Sequence, residues 1–302
     1  MRIYRHFEQA SSPCIATIGN YDGIHLGHQS LINHVISESR AKNLESAVIT
    51  FEPHPKEFFQ PKAAPKRVIS LREKLEFFHS HKLDRAYVIR FDKKFSSLEG
   101  NDFIEILQNK LLVEGLIVGD DFRFGKKRQF GINELKQFGI QVTQPGTIFL
   151  NDERISSSRV RDALQDADFH QVESLLGRPY VIAGRVIHGE KKARLLGYPT
   201  ANVHMFHKSP PLTGVFAVKL DSFFGVANLG LKPTFGGVKN LVLEVHLFDF
   251  DKNIYGKHVH VTFFKKIRDE KKFSTTNELS AQIDELLKLN FLHHQRLVLN
   301  LN

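Results

Sequence analysis

The first half of the chain alternates short apolar runs with stretches of helical periodicity. Five apolar runs of strand length predict strands at 15–18, 47–51, 86–91, 116–118 and 140–143. Apolar residues recur at helical spacing between them and predict helices at 29–41, 71–81 and 100–112. Ser70 and Glu73 have the spacing of a capping box at the start of the second helix. This alternation predicts an α/β domain with a parallel sheet and helices on both faces.

The second half of the chain has a different pattern, in which glycine and proline separate short runs of alternating apolar and polar residues. The predicted strands are 184–187, 215–220, 225–229, 241–248 and 258–264. Such a pattern is typical of an antiparallel barrel or sandwich, here followed by a closing helix near 276–289. The change of pattern predicts two domains, 1–178 and 179–302.

The composition of the chain indicates its cellular compartment. The chain has 302 residues and a single cysteine, Cys14, which excludes a disulfide framework and fits a reducing cytoplasm. The first residues contain no apolar signal segment, and no run approaches the roughly 18 residues of a membrane span. We therefore expect a cytoplasmic protein that is neither exported nor inserted into a membrane.

The net charge of +9 lies mostly in the second half of the chain. Residues 1–177 carry 24 Lys/Arg and 23 Asp/Glu, whereas the remaining residues carry 18 and 10. A basic half is compatible with nucleic acid or with a polyanionic small molecule such as ATP. The chain has no aromatic RNA-recognition signature and no basic repeat, which favours the small ligand and leaves an RNA-binding module as the alternative.

The stretch GNYDGIHLGH at 19–28 follows an apolar strand and precedes a predicted helix. A glycine turn there places His25 and His28 beside backbone N–H groups that a helix start leaves unpaired, which is a favourable place for a phosphate. Two imidazoles can donate to, or protonate, charge that develops on that phosphate. The alternative is an ordinary helix start with His28 facing solvent.

The stretch ISSSRVR at 155–161 predicts a second helix start with hydroxyl groups and an arginine fork. Capping needs one serine, so capping alone does not explain Ser156, Ser157 and Arg161 together. Combined with the histidine turn, this stretch indicates nucleotide chemistry at an α-phosphate.

Two further loops of the first half are candidates for ligand contacts. In TFEPHP (50–55) the prolines stiffen a loop that carries Glu52 and His54, although a purely structural turn remains open. In GDDFRFG (119–125) Asp121 can accept from a nucleoside and Phe122 can stack on a planar ring; a solvated charged loop is the alternative.

The second half contains no Walker A or GxGxxG pattern, which excludes a P-loop mechanism. Thr200 and Asn202 offer two oxygen donors on one side of an extended segment and can complete a magnesium shell beside ATP phosphates; a turn followed by a strand is the alternative. Glu244 lies with His246 on one face of a predicted strand, where it is either a general base or a solvent-facing side chain.

The motifs of the first half resemble the FMN adenylyltransferase domain of bacterial bifunctional riboflavin kinase/FAD synthetases, a Rossmann-like nucleotidyltransferase domain. The resemblance implies that His25 and His28 contact the ATP phosphates and that Ser156, Ser157 and Arg161 clamp the triphosphate. Asp121 is expected to help place ATP. The predicted sites also include, for ATP, Gly19, Asp22 and Gly23, and, for the flavin, Phe51, Glu52, His54 and Phe122.

The motifs HGEKKARLLGYPTAN, ANLGLKPTF and LEVHLFDF resemble, in order, the β-barrel riboflavin kinase domain of the same family. The resemblance implies Thr200 and Asn202 at Mg²⁺-ATP, Glu244 as base towards the riboflavin 5′-hydroxyl, and a flap near 189–196 that includes Gly189. We therefore expect an enzyme that makes FMN and then FAD, with ATP as co-substrate and Mg²⁺ as cofactor. It would be a monomer or weak homo-oligomer without nucleic-acid or membrane partners.

Three residues depart from the usual family pattern. Tyr21 stands where phenylalanine is usual, Phe130 where glycine is frequent, and Ala193 where glycine precedes Arg194. An alanine that needs positive φ would be strained by about 1 kcal/mol. An enzyme that retains only one of the two activities is therefore the other alternative.

Overall fold

A computed structural model describes residues 1–188, 200–205, 209–233, 239–248 and 250–270. The chain divides into two compact units. The first contains Met1–Arg161 and Ser174–Gly177, and the second contains Asp162–Glu173 and the chain from Arg178 onwards. The boundary at residues 178/179 stays a prediction, and Gly189, Ala193 and the helix expected at 276–289 lie outside the described residues.

A parallel sheet forms the centre of the first unit. Its strands are β1 (Arg2–Tyr4), β2 (Cys14–Ile18), β3 (Glu45–Glu52), β4 (Arg85–Arg90), β5 (Val113–Ile117) and β6 (Gln141–Thr143). They lie in the order β1-β4-β3-β2-β5-β6, and every pairing is parallel. All five residues of β2 are buried, as expected for a central strand covered on both faces. The predicted parallel sheet is confirmed, with β1 as a strand that the pattern did not indicate.

The direction of the strand order reverses between β2 and β5, because β3 and β4 follow β2 on one side and β6 follows β5 on the other. In open α/β sheets ligands bind at such a switch point, outside the carboxyl ends of the strands. The loops that leave β2 and β5 are the ones that carry the histidine turn and GDDFRFG.

Two of the three helices with predicted bounds, 29–41 and 71–81, begin and end within three residues of those bounds, and the third differs. The helices in the described residues are α1 (Leu26–Ala41), α2 (Pro55–Phe59), α3 (Leu71–Ser80), α4 (Lys93–Ser96), α5 (Gly100–Glu105), α6 (Ile132–Gln137), α7 (Ser157–Gln165) and α8 (Phe169–Leu176). The capping box of α3 is present, because Glu73 N–H donates to Ser70 Oγ and Ser70 N–H to Glu73. The helix predicted at 100–112 instead continues after α5 as a wider π-helical turn, Ile106–Lys110.

Two shorter elements complete the first unit. Lys126–Arg128 forms a 3₁₀ turn, and β7 (Phe149–Leu150) pairs with β8 (Glu153–Arg154) as a small hairpin. Cys14 is buried in β2, and burial raises the pKa of its thiol to about 12, so it behaves as a core residue. Among the described helices, none has both the length and the apolar character that a membrane crossing requires.

The second unit is a closed antiparallel barrel. Its strands are β9 (Tyr180–Ile187), β10 (Thr200–Met205), β11 (Gly214–Leu220), β12 (Phe223–Pro233), β13 (Lys239–Leu247) and β14 (His258–Arg268). They close in the order β10-β13-β12-β11-β14-β9. Leu243, Val245 and Leu247 are buried, while Glu244 and His246 on the alternate positions are half-buried. The predicted barrel is therefore confirmed, with β10 as a strand that completes it.

Candidate active sites

A cavity of 980 Å³ lies in the first unit at the carboxyl edge of the sheet. It is bounded by the segments that follow β2, β3 and β5 and by the start of α7. Eleven of the residues predicted from sequence line it: Gly19, Asp22, His25, His28, Phe51, His54, Asp121, Phe122, Ser156, Ser157 and Arg161. Gly23 and Glu52 are not among the lining residues. Folding thus brings together motifs that are about 130 residues apart in the chain.

His25 is the N-cap of α1. Its backbone is extended (φ −67°, ψ 169°), and its Nδ1 accepts a hydrogen bond of 3.3 Å from the backbone N–H of His28. Because Nδ1 is the acceptor, we assign the ring hydrogen to Nε2. The helix start therefore fixes the orientation of this buried imidazole, with Nε2 as the ring nitrogen that carries the hydrogen.

The ring of His28 stacks on that of His25, with centroids 3.7 Å apart and 18° between the planes. Burial, aided by the nearby His25, Lys74 and Arg154, holds the pKa of His28 well below its usual range. At neutral pH the His28 ring is therefore uncharged and can donate a hydrogen bond to a phosphate. The interpretation in which His28 faces solvent does not fit this arrangement.

Tyr21 forms the floor beneath His28. The ring centroids are 5.2 Å apart, and the Tyr21 hydroxyl lies 2.6 Å from Thr17 Oγ1 in the buried core. A Cβ at Gly19 would lie 3.1 Å from the Tyr21 ring, so the turn has little room for a larger residue there. Tyrosine is thus accommodated at this position by its own hydroxyl partner.

Asp22 connects the histidine turn to two distant segments. Its Oδ2 accepts from Arg161 Nη2 at 2.5 Å, and its Oδ1 accepts from the backbone N–H groups of Val68 and Ile69 at 2.9 and 3.4 Å. Its carbonyl accepts from Ser157 Oγ at 2.7 Å. These contacts place the start of α7 beside the start of α1.

The two serines of ISSSRVR have different partners. Ser156 caps α7, because its Oγ accepts from the backbone N–H of Arg159 at 3.3 Å. Ser157 instead donates to the Asp22 carbonyl. The guanidinium of Arg159 donates to backbone carbonyls of the β7–β8 hairpin, so that arginine supports the cavity wall.

The loop after β3 is held by a salt bridge network. Arg67 makes two hydrogen bonds of 2.7 Å to the Glu52 carboxylate and also pairs with Glu57. His54 caps α2 and accepts at Nδ1 from the backbone N–H of Lys56 at 3.1 Å. Burial above all, with Arg67 and Lys74 adding to it, lowers the pKa of His54 to about 4. Glu52 is thus occupied by Arg67, whereas His54 presents a neutral ring to the cavity.

Aromatic rings form another part of the cavity wall. Phe51 packs against Phe95 at 5.2 Å, and Phe122 stacks near Phe124 at 5.6 Å with 26° between the planes. Phe130, the second departure, exchanges backbone hydrogen bonds with Phe124, and a Cβ at Gly100 would lie 2.3 Å from its ring. Phe130 therefore closes the loop 119–131 against the core.

Arg154 and Lys74 are charged groups at this site that were not predicted from the sequence. Asp121 is exposed and lies 3.2 Å from Arg154, a cation on the cavity wall. Lys74 is a buried lysine in α3 on the face that carries Phe78, where helical periodicity places apolar side chains. The sequence does contain a signal for Lys74, because this lysine stands at a position of the helix where the periodicity predicts an apolar residue.

The kinase candidates of the second unit come together on the barrel wall. Asn202 of β10 pairs directly with Glu244 of β13, which pairs on its other side with Asn228 of β12. Thr200 pairs with His246 in the same register. Since directly paired residues share one face of a sheet, Thr200, Asn202 and Glu244 form one polar patch.

Comparison with known proteins shows which families the two parts of the chain match. Residues 7–159 match the FAD synthetase family and residues 176–288 match the riboflavin kinase family. The bifunctional riboflavin kinase/FMN adenylyltransferase of Haemophilus influenzae is 45% identical over 282 residues, which cover 90% of this chain and 91% of that protein. The chain belongs to the bifunctional riboflavin kinase/FMN adenylyltransferase family.

A second relative and one solved structure are also similar to this chain. The bifunctional riboflavin kinase/FMN adenylyltransferase of Escherichia coli K12 is 42% identical over 290 residues, 92% of each chain. A crystal structure of a macrolide-efflux protein from Streptococcus pneumoniae is 26% identical, with a TM-score of 0.76 over 94% of this chain and 97% of its own. This chain is therefore similar in fold to that structure over most of its length.

Proposed function

We propose that this chain phosphorylates riboflavin to FMN with ATP and then transfers the adenylyl group of a second ATP to FMN, which forms FAD and pyrophosphate. Family membership over nearly the whole length supports both steps. The observation that carries the second step is the convergence of the histidine turn and the start of α7 on one cavity, joined through Asp22.

In the adenylyl transfer, a phosphate oxygen of FMN attacks the α-phosphorus of ATP, the new P–O bond forms, and the bond to the pyrophosphate breaks. FMN brings its own nucleophile, so the protein has to position the reactants and stabilise charge. We assign His25 and His28 as N–H donors to the phosphates, with the His28 ring neutral. Ser156 and Ser157 at the α7 start and the Arg161 guanidinium would hold the triphosphate.

The remaining residues of the predicted sites support this arrangement in different ways. Phe51, Phe122 and His54 line the cavity and would contact the flavin, whereas Glu52 would act through the salt bridge to Arg67 that holds the loop.

The predicted glycines and aspartates of the ATP site have two kinds of role: some line the cavity, and others hold the turn in place. Gly19 and Asp121 would border ATP from the cavity wall. Gly23, at φ +88°, allows the turn that Asp22 anchors.

In the kinase step we assign Glu244 as the base that takes the proton of the riboflavin 5′-hydroxyl. The hydroxyl of Thr200 and the amide oxygen of Asn202 lie on the same face as Glu244, and such hard oxygen donors fit Mg²⁺. When bound, Mg²⁺ would neutralise charge on the ATP phosphates. We also propose Gly189, which lies outside the described residues, as an ATP contact.

The cellular setting is part of the same proposal. A buried single cysteine and a described part without a membrane-spanning helix fit a cytoplasmic enzyme. We propose riboflavin, FMN and ATP as its ligands, no nucleic acid or membrane partner, and a monomer or weak homo-oligomer. A salt titration with mixed RNA tests the alternative, because phosphate contacts require a steep salt dependence.

An HPLC time course with riboflavin, ATP and Mg²⁺ tests the function directly. FMN that rises first and FAD that accumulates later is the expected result. FMN alone would contradict the adenylyltransferase assignment, and FAD only from supplied FMN would indicate a disabled kinase. No product from either flavin would refute the proposal as a whole.

A further inference from the structure

Lys74 is a lysine enclosed within the first unit. It lies in the first half of α3, and only 4% of its surface is exposed. Lysine is among the residues least often fully buried, because its ammonium group loses hydration. A polar partner or a nearby charge is therefore required at this place.

The partner is the turn that carries the two histidines. Lys74 Nζ donates to the backbone carbonyl of Asn20 at 2.6 Å, across 54 positions of the chain. Thr50 Oγ1 donates to the same carbonyl at 3.4 Å. Asn20 lies between Gly19 and Asp22 on the cavity wall, so both donors fix the backbone just before His25.

The charges that face Lys74 come from three segments. Asp22, Glu52 and Glu57 favour its charged form, while Arg67 disfavours it. Burial outweighs the carboxylates and lowers the pKa of Lys74 to about 8. The side chain still carries its charge in most molecules at neutral pH.

The charge of Lys74 acts on two of the histidines that line the cavity. With burial, His25 and Arg154, Lys74 lowers the pKa of His28. Together with burial and Arg67, and against Asp22, it also lowers the pKa of His54. The Lys74 ammonium thus acts on two rings in different parts of the chain, one in α1 and one at the start of α2.

We propose that Lys74 is a positioning residue for adenylyl transfer, whose ammonium holds, through the Asn20 carbonyl, the turn that presents His25 and His28. Its charge also disfavours a proton on His28, so this ring meets the phosphates as a neutral donor. The inference rests on the adenylyltransferase function proposed above.

The experiment uses the full chain with Lys74→Met, Lys74→Gln and Lys74→Arg, and Arg72→Met as a control on the exposed side of the same helix. Three quantities are measured on each preparation: FAD formation from FMN, FMN formation from riboflavin, and the pKa of His28 by NMR titration. The riboflavin kinase rate is the internal control for the amount of active protein, because its assigned residues lie in the other unit.

We expect Lys74→Met to reduce the kcat of FAD formation by about tenfold or more and to raise the pKa of His28 by about 1, with FMN formation unchanged. Lys74→Gln keeps a donor without charge and should raise the pKa of His28 equally. Lys74→Arg keeps the charge and should leave that pKa low. Arg72→Met should resemble the wild type in all three measurements.

The proposal is overturned if Lys74→Met keeps both the kcat for FAD and the low pKa of His28. If the neutral variants also lose kinase activity, Lys74→Arg decides: a low pKa of His28 with FAD formation supports the proposal, and a raised pKa overturns it. A wild type that makes no FAD contradicts the proposed function instead, while the NMR titration still tests the effect of Lys74 on His28.

Discussion

Replacement of Asp22 by asparagine tests whether this carboxylate joins the two phosphate-binding segments. The side chain is buried, with 6% exposure, and its partner Arg161 is 12% exposed. Asparagine has the same shape but only one acceptor oxygen. Its NH₂ group must face either Arg161 Nη2 or the backbone N–H of Val68, and both are donors.

The size of the effect follows from what each partner retains. Removal of one member of a buried ion pair typically costs 3–5 kcal/mol. Arg161 keeps one hydrogen bond, from its Nε to the Lys66 carbonyl at 2.7 Å. We therefore expect Asp22→Asn to lower the free energy of unfolding of the first unit by about 3 kcal/mol. FAD formation should fall by about tenfold or more, because the α7 start loses its alignment with the histidine turn.

Urea denaturation followed by a probe in the first unit, together with both activity assays, measures these effects. Asp102→Asn, which removes an exposed carboxylate from the same unit, is the matched control and should change neither quantity. FMN formation should stay at the wild-type rate in both variants. An Asp22→Asn protein with wild-type stability and normal FAD formation would refute the role we assign to Asp22.

Three further predictions concern other parts of the chain. Glu244→Gln should abolish FMN formation and leave FAD formation from supplied FMN intact; equal loss of both would argue against separate sites. The pKa of His54 is lowered from its ordinary value of 6.5 to about 4. Between these two pH values the imidazole is protonated in the unfolded chain and neutral in the native state. Stability should therefore be full above pH 6.5 and fall towards pH 4, and His54→Asn, which keeps a helix cap, should flatten this dependence in denaturation measured against pH. Phe130→Gly should destabilise the first unit by about 2–3 kcal/mol, measured by urea denaturation; an unchanged midpoint would show that the ring contributes nothing to packing.

Local sequence patterns predicted the larger elements because their signals are local. The apolar residues of β2 and the Ser70–Glu73 capping box act over a few neighbouring positions, and the structure contains both. The alternation of Leu243 and Glu244 likewise indicated which face of β13 is buried. The three-residue strand β1 escaped prediction because its residues are largely exposed and its register depends on β4, about 80 positions later.

Residue types in the motifs indicated phosphate chemistry, but their roles within the site depend on partners far along the chain. Sequence proposed Glu52 as a flavin contact, whereas Arg67 pairs with its carboxylate. Ser156 and Ser157 looked equivalent, yet one caps α7 and the other holds the Asp22 carbonyl. Spacing in the sequence contains no information on these choices.

The sequence by itself therefore determined the fold class, the family and the chemistry of the candidate groups, since periodicity and motif composition are properties of short segments. Only the tertiary structure decided which groups face one another. Lys74 lies behind the histidine turn, and Asn202 lies beside Glu244. The physical reason is that hydrogen bonds, ion pairs and desolvation depend on distances of a few ångströms, which chain folding sets between residues tens of positions apart.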